Sequence, residues 1–339
     1  MMLPKKTPPP GGQKKRIDME HISEILTGVK TMGIAGHIRP DGDCVGTCMA
    51  LYLYIKSYYP EIDVRVYLEN PRPVFSHIDR MDEIITEPDG SRIFDLFVTC
   101  DVSALNRLAV AGEYFETAKR TACIDHHVSN TGFADINHVK GDISSCCEVL
   151  YGLLDRDKID RSVATALYTG MIHDTGVFQY SSTTPETMQI AGELMKTGFD
   201  FNRIIDRSFY EKTYIQNQVM GRVLAESIMI QDGQCIIGYL RRKDMDFYGV
   251  DGKDLDGIVS QLRLTKGVEV EMFLYETETQ TFKVSLRSNG KVDVSKVAVY
   301  FGGGGHVRAA GCDLHGSMYD VINNVSEQIE RQLGAERDE

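Results

Sequence analysis

From Thr31 onward, short apolar runs alternate with segments whose apolar residues recur at spacings of three and four. The run ending in IAGH (34–37) and residues 64–68, 96–100 and 121–124 are too short and too rich in β-branched or aromatic side chains to favour helices, so they are predicted strands. After the first, Val45, Cys48, Met49, Tyr52 and Ile55 share one helical face. Residues 144–154 place Cys146, Val149, Leu150, Leu153 and Leu154 on another, with Ser144 as the expected N-cap. Strands separated by helices predict an α/β domain with a largely parallel sheet, and such sheets gather ligands at the carboxyl ends of their strands.

Near residue 198 the chain turns polar and helix-favouring, and 211–225 reads as a connecting helix. Beyond it, 227–230, 235–240, 268–275 and 281–286 are predicted strands, with helices near 255–264, 294–300 and 318–333. The expected organisation is a disordered tail (1–16), a parallel-sheet domain (17–197), a helical linker (198–225) and a smaller mixed-sheet α/β domain (226–335). A length of 339 residues suits two domains.

Charge changes the picture. With 49 acidic against 37 basic residues, net −12, the chain offers no extended grip on long nucleic acid. A small anion remains possible if a few cations or metal ions hold it. No run of about eighteen apolar residues predicts a membrane span. The opening MMLPKKTPPPGGQKKR is basic but lacks the apolar stretch of a secretory signal. The eight cysteines show no C-x-x-C spacing, so reduced, buried thiols in a cytoplasmic protein are expected.

Polar residues cluster at four places where apolar runs stop: GHIRPDGDCVG (36–46), CDVS (100–103), DHH (125–127) and HDTG (173–176). Carboxylates and imidazoles converging on one rim of a sheet would be costly to desolvate unless cations neutralise them. Ligation by oxygen and imidazole without thiolate suits manganese better than structural zinc. His37, Asp41 and Asp43 come from one turn and can serve neighbouring ions, Asp101 is the candidate bridge, and His126 and Asp174 complete the second ion. A water shared by two such ions is a nucleophile at neutral pH.

HIRPDGD, DHH, HDTGVFQYSSTTPET and SLRSNGKVDVSKVAVYFGGGGHVRAAG, in that order, resemble the DHH phosphoesterase superfamily over nearly all of the chain outside the tail. The branch they resemble most combines oligoribonuclease activity with removal of a phosphate from 3′-phosphoadenosine 5′-phosphate (pAp). The resemblance implies two manganese ions, the first on His37, Asp41 and Asp101, the second on Asp43, Asp101, His126 and Asp174. It implies further that Asp125 orients an imidazole, that His127 faces the scissile phosphate or the leaving oxygen, and that Arg287, Ser288, Gly303, Gly304, Gly305 and His306 hold the terminal phosphate or nucleotide. Arg107 is a weaker phosphate contact.

The expected partner is therefore pAp, a dinucleotide or short RNA, captured by the second domain, with no long nucleic acid and no membrane; a homodimer is compatible with this reading. A stand-alone cyclic-dinucleotide phosphodiesterase is the enzymatic rival, and a silent nucleotide sensor the non-enzymatic one. An intact ligand set argues against the sensor. Nothing in this reading accounts for the adjacent pair Cys146 and Cys147.

Overall fold

The computed structural model describes residues 19–108 and 110–335; the basic tail, 1–16, lies outside them. The chain divides into two compact units, with the boundary between Glu211 and Lys212.

The first unit is built on five parallel strands: β1 (Thr31–Ala35), β2 (Asp63–Tyr67), β3 (Leu96–Cys100), β4 (Arg120–Asp125) and β5 (Ile136–Val139), in the order β2-β1-β3-β4-β5. β1 and β3 are almost wholly buried, as parallel strands covered on both faces must be. From β1 the chain first moves outward to β2, then returns to the other side at β3. The strand order therefore reverses between β1 and β3, and the crevice at the carboxyl ends there is where such sheets bind ligands.

The helix Gly42–Tyr58 packs along Arg161–Asp174. Two glycines allow the close approach: a Cβ on Gly46 would lie 2.6 Å from the Ala166 carbonyl oxygen, and one on Gly170 would lie 2.8 Å from Asp43 Oδ1 and 3.1 Å from Asp43 Cα. Residues 161–172 place Val163, Ala166, Leu167, Met171 and Ile172 in the core at helical spacing. HDTG accordingly closes a helix, not the strand end expected from the sequence: Asp174 is that helix's last residue. The predicted helix at 144–154 forms as Cys146–Leu153, capped by Ser145 rather than Ser144, because it is the Ser145 side chain that accepts from the Glu148 N–H.

The second unit is a six-stranded mixed sheet: β6 (Ile228–Ile230), β7 (Cys235–Leu240), β8 (Val270–Glu278), β9 (Thr281–Ser288), β10 (Gly304–His306) and β11 (Ala309–His315), in the order β10-β11-β9-β8-β7-β6. Only β7 and β8 pair in parallel. One face packs on the helices Val294–Tyr300 and Met318–Ala335 through Met272, Leu286, Val297 and Val325; the other packs on Tyr214–Ala225 and Ile258–Leu262 through Phe273, Val223 and Leu262. The segment read as a linker is thus shared: Phe199 and Ile204 belong to the first core, Val219 and Val223 to the second. The helix expected at 255–264 is broken at Gly257, whose φ of +90° lies in the left-handed region that glycine enters without steric cost.

Candidate active site and metal centre

Each strand at the switch point leads within two residues into a polar side chain, and the fold brings these together. His37 follows β1, Asp101 follows β3, and Asp125, His126 and His127 close β4. Asp41 and Asp43 arrive at the start of the helix Gly42–Tyr58, where Asp41 Oδ1 caps the helix by accepting from the Cys44 N–H at 3.1 Å. Its other oxygen lies 3.6 Å from His37 Nε2.

Asp101 stands at the centre. Oδ2 lies 3.4 Å from His37 Nε2, whereas Oδ1 lies 3.5 Å from His126 Nε2 and 3.5 Å from His127 Nδ1. The two oxygens of one carboxylate thus face two different donor groups. Asp101 is held in the left-handed region, φ 59°, a conformation that persists only where the surroundings enforce it; its N–H is tied to the Ile124 carbonyl at 3.0 Å. His126 Nε2 completes the second group, 3.8 Å from Asp43 Oδ2 and 3.3 Å from Asp174 Oδ2. Behind Asp174 the residues Gly176, Val177 and Phe178 all have positive φ, an uncommon conformation for a valine and a phenylalanine, and this turn follows directly on the helix end that carries the carboxylate.

Asp43 is fully buried, and its carboxylate meets the backbone of the cysteine pair. Its oxygens accept from the Cys146 N–H at 2.6 Å and the Cys147 N–H at 2.9 Å, the free donors at the start of the helix Cys146–Leu153. Cys146 and Cys147 serve through their backbone. Their thiols, like those of the other cysteines, are buried and unpaired in disulfides.

Asp125 orients His127, not the metal-set imidazole His126. Asp125 Oδ1 accepts from His127 Nδ1 at 2.7 Å and from the His126 backbone N–H at 2.9 Å, while Asn130 Nδ2 donates to Oδ2 at 2.7 Å. His126 turns its Nδ1 to the Ile143 carbonyl, 3.3 Å away. Asn130 and the Ile143 carbonyl went unnoticed in the sequence, where neither carries a motif. His173, the neighbour of Asp174, packs edge-on against Phe75 and Phe209, and burial lowers its pKa to about 4.

The electrostatics of the cluster ask for cations. Burial, then the charge of Asp101, pushes Asp43 up to about 7; burial, then Asp43 and Asp101, pushes Asp174 up to about 9. Burial is the largest influence on His126 and His37 and opposes their charge, but Asp101 acting with its neighbours, Asp43 and Asp174 at His126 and Asp41 and Cys44 at His37, outweighs it, raising His126 to about 10 and His37 well above the ordinary histidine range. Asp101 Oδ1 is buried and, among the described residues, has no hydrogen-bond donor. A carboxylate and imidazole set that takes up protons to balance its charge, with an orphaned oxygen at its middle, fits divalent ions.

In the second unit, strand register aligns the expected capture residues. His306 pairs with Ala309, Ala309 with Arg287, and Arg287 with Glu271, one row across four strands. Directly opposed residues share a face, so His306 and Arg287 stand on the same side with only an alanine between them. Ser288 does not join them: it is buried, donating to Glu269 Oε1 at 3.1 Å and accepting from the Gly290 N–H at 3.0 Å. Two of the glycines are required by the hairpin itself. A Cβ on Gly303 would lie 2.2 Å from the Gly311 carbonyl oxygen, and one on Gly305 2.5 Å from that of Ala309, while Gly304 faces open space. Arg107 is half-buried beside the first unit's rim, where its carbonyl accepts from the Ile38 N–H at 2.8 Å and its Nε finds no hydrogen bond.

Known proteins are similar to this chain over most of its length. The bifunctional oligoribonuclease and PAP phosphatase of Thermus thermophilus is 29% identical over 326 residues, spanning 92% of this chain and 95% of its own length. The enzyme of the same description from Bacillus subtilis is 24% identical over 300 residues, spanning 87% and 92%. A crystal structure of an exopolyphosphatase-related protein from Bacteroides fragilis superposes with a TM-score of 0.82 at 25% identity, covering 91% of this chain and 94% of that one. The N-terminal domain model of the DHH family matches residues 31–171 and the DHHA1 domain model matches 232–335, one in each unit. Matched in both units and in that order, the chain belongs to the DHH family of phosphoesterases, with a DHHA1 domain behind the catalytic one.

Proposed function

We propose that the protein hydrolyses dinucleotides and very short oligonucleotides to mononucleotides and removes the 3′-phosphate of pAp, working in the cytoplasm with two manganese ions. The observation that carries this reading is the divided carboxylate of Asp101, one oxygen facing His37 and the other His126. His37, Asp41 and Asp101 would hold one ion and Asp43, Asp101, His126 and Asp174 the other; bound there, the pair supplies Lewis-acid polarisation of the phosphate and activation of water. The substrate class follows from the relatives described as oligoribonuclease and PAP phosphatase.

The protein's own groups carry the rest. Asp125 raises the pKa of His127 through its hydrogen bond to Nδ1, which favours the imidazolium and leaves Nε2–H free to donate to a phosphoryl oxygen or to the leaving oxygen. Asp43 is fixed by the Cys146 and Cys147 N–H groups and need not reorganise during turnover. Arg287 and His306, in one cross-strand row, would hold the terminal phosphate or nucleotide of the substrate. The net charge of −12 provides no track for a long strand.

The test compares turnover of pAp, pApA, pGpG, cyclic di-AMP, short DNA and polyphosphate with manganese present, then follows catalytic efficiency along single-stranded RNAs from a dinucleotide to about twenty-four residues at fixed salt. Efficiency that falls with length, together with turnover of pAp, is the expected result. Level or rising efficiency makes a processive exonuclease the better reading, and preference for polyphosphate removes the nucleotide one.

A further inference from the structure

The ligand set expected from the sequence contains only oxygen and nitrogen donors, but the fold adds sulfur. A ring nitrogen of His37, a carboxylate oxygen of Asp101 and Cys44 Sγ all lie within 4.8 Å of one another. Cys44 is fully buried, and its sulfur is held in place from behind. The His37 N–H donates to it at 3.3 Å, and the chain at Gly36 runs so close that a Cβ there would lie 2.1 Å from it. Asp101 is 3% exposed, and its Oδ2 stands 3.4 Å from His37 Nε2.

Zinc binds thiolate at about 2.3 Å and imidazole at about 2.0 Å, so tetrahedral donors stand roughly 3.3–3.8 Å apart and the three atoms need move by only about 1 Å to share an ion. Thiolate favours zinc and cadmium over manganese. We propose that His37, Cys44 and Asp101 form a site for a soft divalent ion, zinc or cadmium, whose occupation excludes the hard ion that depends on His37 and Asp101. The inference rests on the reading of this rim as a metal centre and adds to it a donor and a selectivity. On binding, the Cys44 S–H bond breaks, a sulfur–metal bond forms and the proton leaves to solvent, with no change of oxidation state. Zinc thereby becomes an inhibitor that competes with manganese rather than a substitute for it.

Two titrations test this without reference to turnover. Cadmium added to the metal-free full-length protein should raise the ultraviolet thiolate-to-cadmium charge-transfer band at one equivalent in the wild type and in Cys48→Ser, and not in Cys44→Ser or Cys44→Ala. In the manganese-loaded protein, the zinc needed to release half the manganese, read from the paramagnetic resonance of free Mn²⁺, should rise in Cys44→Ala by more than about tenfold, the lower end of what losing even a supporting contact costs. Manganese retention by the two Cys44 variants shows that their site is folded. No band in the wild type, an equal band in both Cys44 variants, or unchanged displacement by zinc overturns the proposal. Failure to turn over nucleotides would bear on the proposed function alone and leave both titrations standing.

Discussion

Asp125 Oδ1 and His127 Nδ1 are joined by a 2.7 Å hydrogen bond, whereas the adjacent His126 directs its Nε2 to Asp43, Asp101 and Asp174. Two neighbouring histidines are therefore divided between two tasks, one turned to the metal set and one poised by a buried carboxylate. In Asp125→Asn the amide no longer holds the charge on His127, so the His127 pKa falls from its raised position. The alkaline limb of the pH–rate profile should move to lower pH, and kcat should fall about tenfold to a hundredfold with manganese affinity nearly kept. A pH–rate profile of both proteins, with manganese titrations, checks it; an unmoved limb would mean that His127 is not the titrating acid.

Asp101→Ala should abolish turnover, by about a thousandfold or more, because both ions of the proposed pair would lose a shared ligand and several kcal/mol of charge stabilisation with it. In the metal-free protein the same change should lower the melting temperature, since it removes the buried anion that faces His37 and His126 and leaves their charge without its nearest partner. Added manganese should then raise the melting temperature of the wild type only. Calorimetry with and without metal decides it, and a stabilised metal-free variant would show that repulsion among the carboxylates exceeds the pairing with His37 and His126.

Gly46→Ala tests the helix contact beneath the site. Helix propensity alone would favour alanine by about 1 kcal/mol. The new methyl would meet the Ala166 carbonyl oxygen at 2.6 Å and the Gly170 nitrogen at 2.9 Å, both backbone atoms that cannot swing away. Overpacking of this kind costs about 1–3 kcal/mol and should prevail, lowering the urea midpoint. The displaced helix carries Asp43, so manganese affinity should fall as well.

Glu271 gives the second unit a pH dependence of its own. It is fully buried, Asn289 Nδ2 donates to Oε1 at 3.2 Å, Oε2 has no hydrogen bond, and burial pushes its pKa from 4.5 up to about 7. A carboxyl whose folded pKa is raised contributes its full stability below the unfolded value and loses it as pH rises through the folded one. The wild type should thus lose on the order of 3 kcal/mol relative to Glu271→Gln between about pH 4 and pH 8. Chemical unfolding across that range checks it; parallel curves for the two proteins would show that Glu271 stays ionised.

Much of this protein was legible along its chain. Strands and helices announce themselves by local periodicity, and HIRPDGD, DHH and HDTG are contiguous, so the two-unit α/β organisation and the residues His37, Asp41, Asp43, Asp101, His126 and Asp174 could be named before any folding was considered. What periodicity cannot express is which distant backbones meet. Asp43 is held by the backbone N–H groups of Cys146 and Cys147, 103 and 104 residues away, a contact that no local pattern announces. The choice of His127 over His126 as the partner of Asp125 depends on ring directions at the end of β4, and adjacent identical residues look alike in a sequence. Asp174 reached the rim from a helix end because buried residues at helical spacing precede it, and helix packing across Gly46 and Gly170 aims it. The row His306, Ala309, Arg287 and Glu271 exists only through strand register, and Cys44 enters the donor group only because the chain at Gly36 presses on its sulfur. Composition and spacing decide which groups are available; long-range pairing and close packing decide which of them share a few ångströms, and the chemistry depends on that.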